Sequence, residues 1–204
     1  MLEHMISIWM GRRTLFFGAV ALVLPSLLFC AASCVKNKTA RKTLLLAALA
    51  ACVCGIVCLT LAGRSSGQRL LNLTPLWTYR FTSDPQYRWQ GYMNVFLFFP
   101  FGFLLPFAAK RNFPQSLLIG FLFSVGIEAA QYFFCLGMCE FDDVFHNSMG
   151  TALGYGYWKA LSWVEAKHGH AIRAAAHSLV LYARKLGAQG LAAIKNEIGK
   201  MHKK

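Results

Sequence analysis

The sequence predicts an all-α, polytopic integral membrane protein, with about five transmembrane helices followed by a basic amphipathic C-terminal helix. Three observations predict it. Hydrophobic residues make up 56% of the 204 positions and charged residues only 14%, against roughly 25% charged in soluble domains. The apolar residues gather in five stretches of about 20 residues, the length that spans a bilayer. Basic residues fall in short runs between those stretches, the pattern by which membrane proteins fix their orientation.

The formal net charge is +13. A nucleic-acid binder would show that charge as one basic face on a soluble surface, so nucleic acid is excluded as the main partner and membrane lipids are expected instead. Five of the seven cysteines, Cys30, Cys34, Cys52, Cys54 and Cys58, lie in apolar runs, where thiols act as small hydrophobes. Cys135 and Cys139 flank a short loop; two helix-end thiols and a disulfide on an oxidising side are both compatible with that spacing. No cysteine or histidine set has zinc-site spacing, so neither metal nor cofactor is expected.

The first span is Thr14 to Val35, preceded by Arg12 and Arg13. A twin-arginine export signal is the competing reading, set aside because a second span follows at once. Lys36, Lys38, Arg41 and Lys42 form a tight basic link to the second span, Thr43 to Ala62. The longest polar connection, Gly63 to Gln90, carries Pro75, Trp77 and Tyr79, residues suited to the membrane boundary. The third span runs near Gly91 to Ala109, and Pro100 and Gly102 should kink or loosen it. Lys110 and Arg111 close it. The fourth runs near Ser116 to Phe134, an acidic loop covers Cys135 to Asp143, and the fifth runs from Val144 to Val164.

From Glu165 onward there are eight Lys or Arg and two Glu. Apolar residues recur at roughly helical spacing from Ile172 to Ile198, weakened by Gly187 and Gly190. This reads as a helix lying on an anionic membrane surface, with a solvated tail as the alternative. The domains are therefore residues 1–13, an N-terminal segment; 14–164, the transmembrane domain; and 165–204, a basic cytoplasmic tail. Placing the first link inside collects fourteen basic residues there against six outside. The protein is thus expected in the cell membrane with its N-terminus outside and its C-terminus cytoplasmic.

Four of the eight acids, Glu128, Glu140, Asp142 and Asp143, fall within 16 positions. Glu128 lies inside the fourth apolar span, where a charge costs about 2.5–3.5 kcal/mol and should face protein or water. Ser124 and Gln131 share its helical face, with Gly120 one turn before Ser124. Asp143, Asn147, Gly150 and Gly154 form the matching face of the fifth span, and the two glycines are a small-xxx-small pair that admits a close helix. Asn94 starts the third span. Topology puts Asn94, Glu128, Gln131, Asp143 and Asn147 at one depth near the outer face, a pocket for the polar head of an amphiphile. The rival is a sealed hydrogen-bonded knot. Asp142 and Asp143 also suit a helix start as caps, and His146 with Glu140 and these acids is a weaker candidate for an oxygen-rich metal site.

The same residues resemble the VanZ-like family over about Leu71 to Trp158. The motifs are Asn72, Leu73 and Pro75; Asn94 with Pro100–Pro106; Ser124, Glu128 and Gln131; and Glu140 to Asp143 with Asn147, Gly150 and Gly154. Leu136 departs from the pattern, since many members carry Arg there. The resemblance implies a polytopic membrane protein, and the family's namesake is associated with low-level resistance to the glycopeptide teicoplanin. The expected role is therefore a cell-envelope protein that handles amphiphilic compounds, with the polar cluster Asn94, Ser124, Glu128, Gln131, Glu140, Asp142, Asp143 and Asn147 as its site. An enzyme or carrier for a lipid-linked precursor and a structural partner of a membrane complex are the alternatives. No nucleophile-and-base pair or phosphate-binding glycine loop supports an enzyme.

Overall fold

A computed structural model describes residues 2–63, 67–82 and 84–201, with side chains from Leu15 to Gly169 and at a few positions beyond. Arg12, Arg13, Arg64 and most of the tail's apolar repeat therefore lie outside the described side chains. The elements in order are α1 (Leu2–Cys34), α2 (Lys38–Leu61), β1 (Leu70–Asn72), α3 (Trp77–Arg80), α4 (Pro85–Ala109), α5 (Phe113–Phe133), β2 (Met138–Glu140) and α6 (Phe141–Met201).

The helix starts are written in the sequence. The Asn37 side chain accepts from the N–H groups of Thr39 and Ala40 at 2.9 and 3.1 Å and opens α2. Asp84 accepts from Gln86 at 2.9 Å ahead of Pro85. Asn112 and Gln115 form a reciprocal capping box for α5. Each satisfies donors that a helix N-terminus otherwise leaves orphaned. Although Pro100 and Pro106 lie inside it, α4 runs as one helix. By contrast α6 holds a non-helical residue, His168 (φ −127°, ψ 19°), so the bundle helix and the basic tail meet at a bend.

Among the described residues four helices are long and apolar enough to cross a membrane: Leu15–Cys34 of α1, then α2, α4 and α5. The fifth expected helix falls outside this measure of length and hydropathy. The fifth helix is built, as the first part of α6, but it carries Asp142, Asp143, His146, Asn147 and three glycines. Its buried polar residues, with Gly150 and Gly154, lie on the face that packs against α4, α5 and α1, while Phe145, Met149, Leu153 and Trp163 are exposed on the other.

The central helix α4 lies against α6, α2, α1 and α5. Its contact with α6 is backbone on backbone. A Cβ added at Gly150 would strike the carbonyl oxygen of Val95, one at Gly154 that of Phe99, and one at Gly102 that of Thr151. On the other side of α4, Phe98, Phe101 and Leu105 pack with Ile56 of α2 and Ile127 of α5. Phe103 and Leu104 pack with Phe29 of α1. Near their link α1 and α2 close on Ala108 through Ala32 and Leu45.

Candidate functional site

At the end of the bundle away from that link, two short segments pair in parallel. Leu70 to Asn72 lie beside Met138 to Glu140, with Asn72 opposite Glu140. Three residues per strand carry too little pattern to be read in the sequence, and this pairing was not expected. It ties the connection before α4 to the loop before α6.

The loop is held from below by Glu128. Its side chain is 3% exposed, and its Oε2 accepts the backbone N–H of Glu140 at 2.9 Å. The buried carboxylate of the fourth span therefore faces protein, as its insertion cost requires. Glu140 itself is pushed above the usual carboxylate range by burial; a hydrogen bond from Asn72 opposes that shift, and the charge of Asp142 adds to it.

Asp142 has a different task from the others. One of its oxygens accepts from the N–H of Leu76 at 2.6 Å and the other from Thr78 at 2.9 Å. It thus caps a turn 64 residues upstream, where Leu76 adopts a left-handed φ of 56°. One turn along α6, His146 is 1% exposed, and its Nε2 lies 2.8 Å from the Tyr79 hydroxyl. Gly91 lets this ring in, since a Cβ there would stand 2.8 Å from it. Partial burial raises the Tyr79 pKa, with Tyr92 and Asp142 adding to the shift. Asp142 and His146 together clamp the connection onto α6.

Deeper in the bundle, Nδ2 of Asn147 donates to Oγ of Ser124 at 2.8 Å, and Nε2 of Gln131 donates to the carbonyl of Thr60 at 3.1 Å. The Oδ1 of Asn147 is buried without a hydrogen-bond partner among the described residues.

A cavity of about 770 Å³ lies over these groups. Asn94, Glu128, Gln131, Glu140, Asp143 and Asn147 line it, and Ser124 and Asp142 do not. Ser124 stands behind Asn147 as its acceptor. Asp142 is turned toward the clamped loop. The expected cluster is thus divided between cavity wall and scaffold. The remaining walls are mostly apolar and come largely from α1 and α2, including Phe17, Leu24, Ile56 and Leu59, with Trp89 and Phe96 of α4. Among the described residues neither Lys nor Arg lines it. The two helices that meet near residues 32 and 45 both serve as walls here, toward the start of α1 and the end of α2.

Cys135 and Cys139 are not joined in a disulfide. Burial, with Glu128, Asp143 and Glu140 nearby, pushes the Cys139 thiol up, away from the reactive thiolate. Among the described residues no three His, Cys, Asp or Glu side chains converge to hold a metal ion. His146 is engaged by Tyr79 instead.

Residues 64–162 match the family model of VanZ/LLP1. A curated relative, Protein VanZ of Enterococcus faecium, is 35% identical over 88 residues, 43% of this chain and 51% of that protein. The chain thus spans about half the length of the curated relative it matches. No solved structure matches it. The matched stretch runs from the connection before β1 through the bundle part of α6 and holds the whole polar cluster. On these findings residues 64–162 of this multi-pass membrane protein are similar to VanZ/LLP1.

Proposed function

We propose that this protein receives an amphiphile of the cell envelope, and that it contributes to glycopeptide resistance of the teicoplanin type by doing so. The observation that carries the reading is the cavity of about 770 Å³, polar at one end and apolar along its walls. Ligand sites combine such walls with a few convergent polar groups. The polar end presents Glu128, Glu140 and Asp143 with the amides of Asn94, Gln131 and Asn147. That set favours a head rich in hydroxyl, amide or ammonium donors, such as an amphiphilic small molecule or a lipid-linked precursor. The unpartnered Asn147 Oδ1 adds an acceptor there. Charge distribution turns this end outward.

The test is paired. Glu128→Gln and Asp143→Asn are expressed in a susceptible host, and teicoplanin susceptibility is measured beside membrane abundance. The expected outcome is normal abundance with lost protection. If both variants keep normal abundance and full protection, the cluster is a hydrogen-bonded knot that only locks the helices, and the functional reading fails.

A further inference from the structure

A second cavity, of about 750 Å³, lies at the other end of the bundle, where α2 begins and α4 ends. Lys38, Arg41 and Lys42 of α2 line it with Lys110, the residue after α4, and among the described residues no acidic one does. These cations come from two links that are far apart in sequence. Orientation rules ask only for basic residues on the right side of the membrane. They do not ask that separate links converge on one hollow. Arg41 is further fixed, its guanidinium 5.4 Å from the centre of the Phe107 ring. A cation over an aromatic face is held in place at little cost.

The rest of the lining is apolar. Leu46 and Phe107 belong to it, and Leu46 is exposed on the bundle's outer surface. The N–H groups of Thr39 and Ala40 are already taken by Asn37, so the side chains, not the helix end, offer the anion site. The cations sit where apolar helices terminate, which is the depth of lipid phosphates. A free phosphate ion has no use for the apolar wall or for a hollow of this size.

We propose that this cavity binds the phosphate headgroup of an anionic membrane lipid, with an acyl chain lying along Leu46 and Phe107. Basic pockets between membrane helices suit such headgroups, and each cation near the surface contributes about a five-fold gain in affinity. The proposal is independent of the outward cavity and of the resistance reading.

The experiment uses the purified full chain in neutral detergent, with bound lipid read by native mass spectrometry during titration. The probes are phosphatidylglycerol, phosphatidylcholine and inorganic phosphate. Phosphatidylglycerol should bind well above phosphatidylcholine, and inorganic phosphate should not displace it. Arg41→Gln and Lys110→Gln should each weaken it about five-fold. Lys42→Gln, at an exposed position, gives the same reading if Arg41→Gln does not fold. Arg69→Gln, exposed and outside the cavity, should leave binding unchanged. Equal binding of the two lipids, displacement by inorganic phosphate, or cavity variants no weaker than Arg69→Gln would each overturn the proposal.

Discussion

Substituting Gly154 by Ala should separate the two central helices. The added Cβ would lie 2.8 Å from the backbone nitrogen of Phe103 and closer still to the carbonyl oxygen of Phe99. An ordinary contact begins at 3.4 Å, so α4 and α6 must part by at least about 0.6 Å along this contact alone. Both obstacles are backbone atoms in the middle of helices and cannot rotate away. The cost should therefore reach the upper end of overpacking, about 3 kcal/mol. Gly156, two residues on, provides the control. Nothing lies within 4 Å of a Cβ there, so Gly156→Ala should stabilise by about 0.5–1 kcal/mol through helix propensity. Thermal unfolding of the purified proteins in one detergent reads the difference. A loss of about 6–12 °C is expected for Gly154→Ala and a small gain for Gly156→Ala. Equal melting points for the two variants would refute the backbone-on-backbone packing of α4 and α6.

Asp142→Ala removes the acceptor of two N–H groups, at 2.6 and 2.9 Å, and should cost about 2–4 kcal/mol locally. Limited proteolysis between β1 and α4 should accelerate, while Asp142→Asn, which keeps one acceptor, falls between. Glu128→Ala leaves the Glu140 N–H without its acceptor and should cost about 1–3 kcal/mol; Glu128→Gln should recover most of that melting temperature. Glu140 favours its protonated form in the fold because its pKa is raised. Its contribution to stability is therefore full below the unfolded carboxyl value and lost as pH rises through the raised one. The β1–β2 pairing should loosen over that window in hydrogen-exchange measurements corrected for intrinsic rate, and Glu140→Gln should abolish the effect. Reporter fusions after Lys38 and after Lys167 should both read cytoplasmic, and an external signal at either would overturn the orientation.

Helix positions were legible because membrane insertion writes itself into composition. The apolar runs at Thr14, Thr43, Gly91 and Ser116 lie within one to six residues of the helix starts or candidate spans. Glu128 was legible for the opposite reason, as an acid where lipid forbids one. The close approach at Gly150 and Gly154 was suggested by their spacing, but its partner was not: the carbonyls they meet belong to α4, and backbone atoms leave no mark in sequence. The same holds for Asp142. An acid at a helix start looks like a cap for its own helix, yet its acceptor oxygens serve a turn built 64 residues earlier. The Tyr79–His146 bond and the β1–β2 pairing are likewise long-range and join single residues or triplets. No periodicity can announce them. Lys110 and Arg41 read as orientation signals one link at a time, and only the folded bundle turns them into neighbours.

The larger of the two cavities has two owners. Its carboxylates and side-chain amides come from α4, α5, β2 and α6, inside the stretch that matches VanZ/LLP1, whereas much of its apolar wall is α1 and α2, before residue 64. Chemistry and access are thus encoded in separate parts of the chain. A change in Leu24, Gly55 or Leu59 can widen or narrow the way in without touching a single hydrogen bond of the polar end. Under the proposed function, variation in the first two helices redirects which tail fits, while the carboxylates and amides that meet the head stay the same.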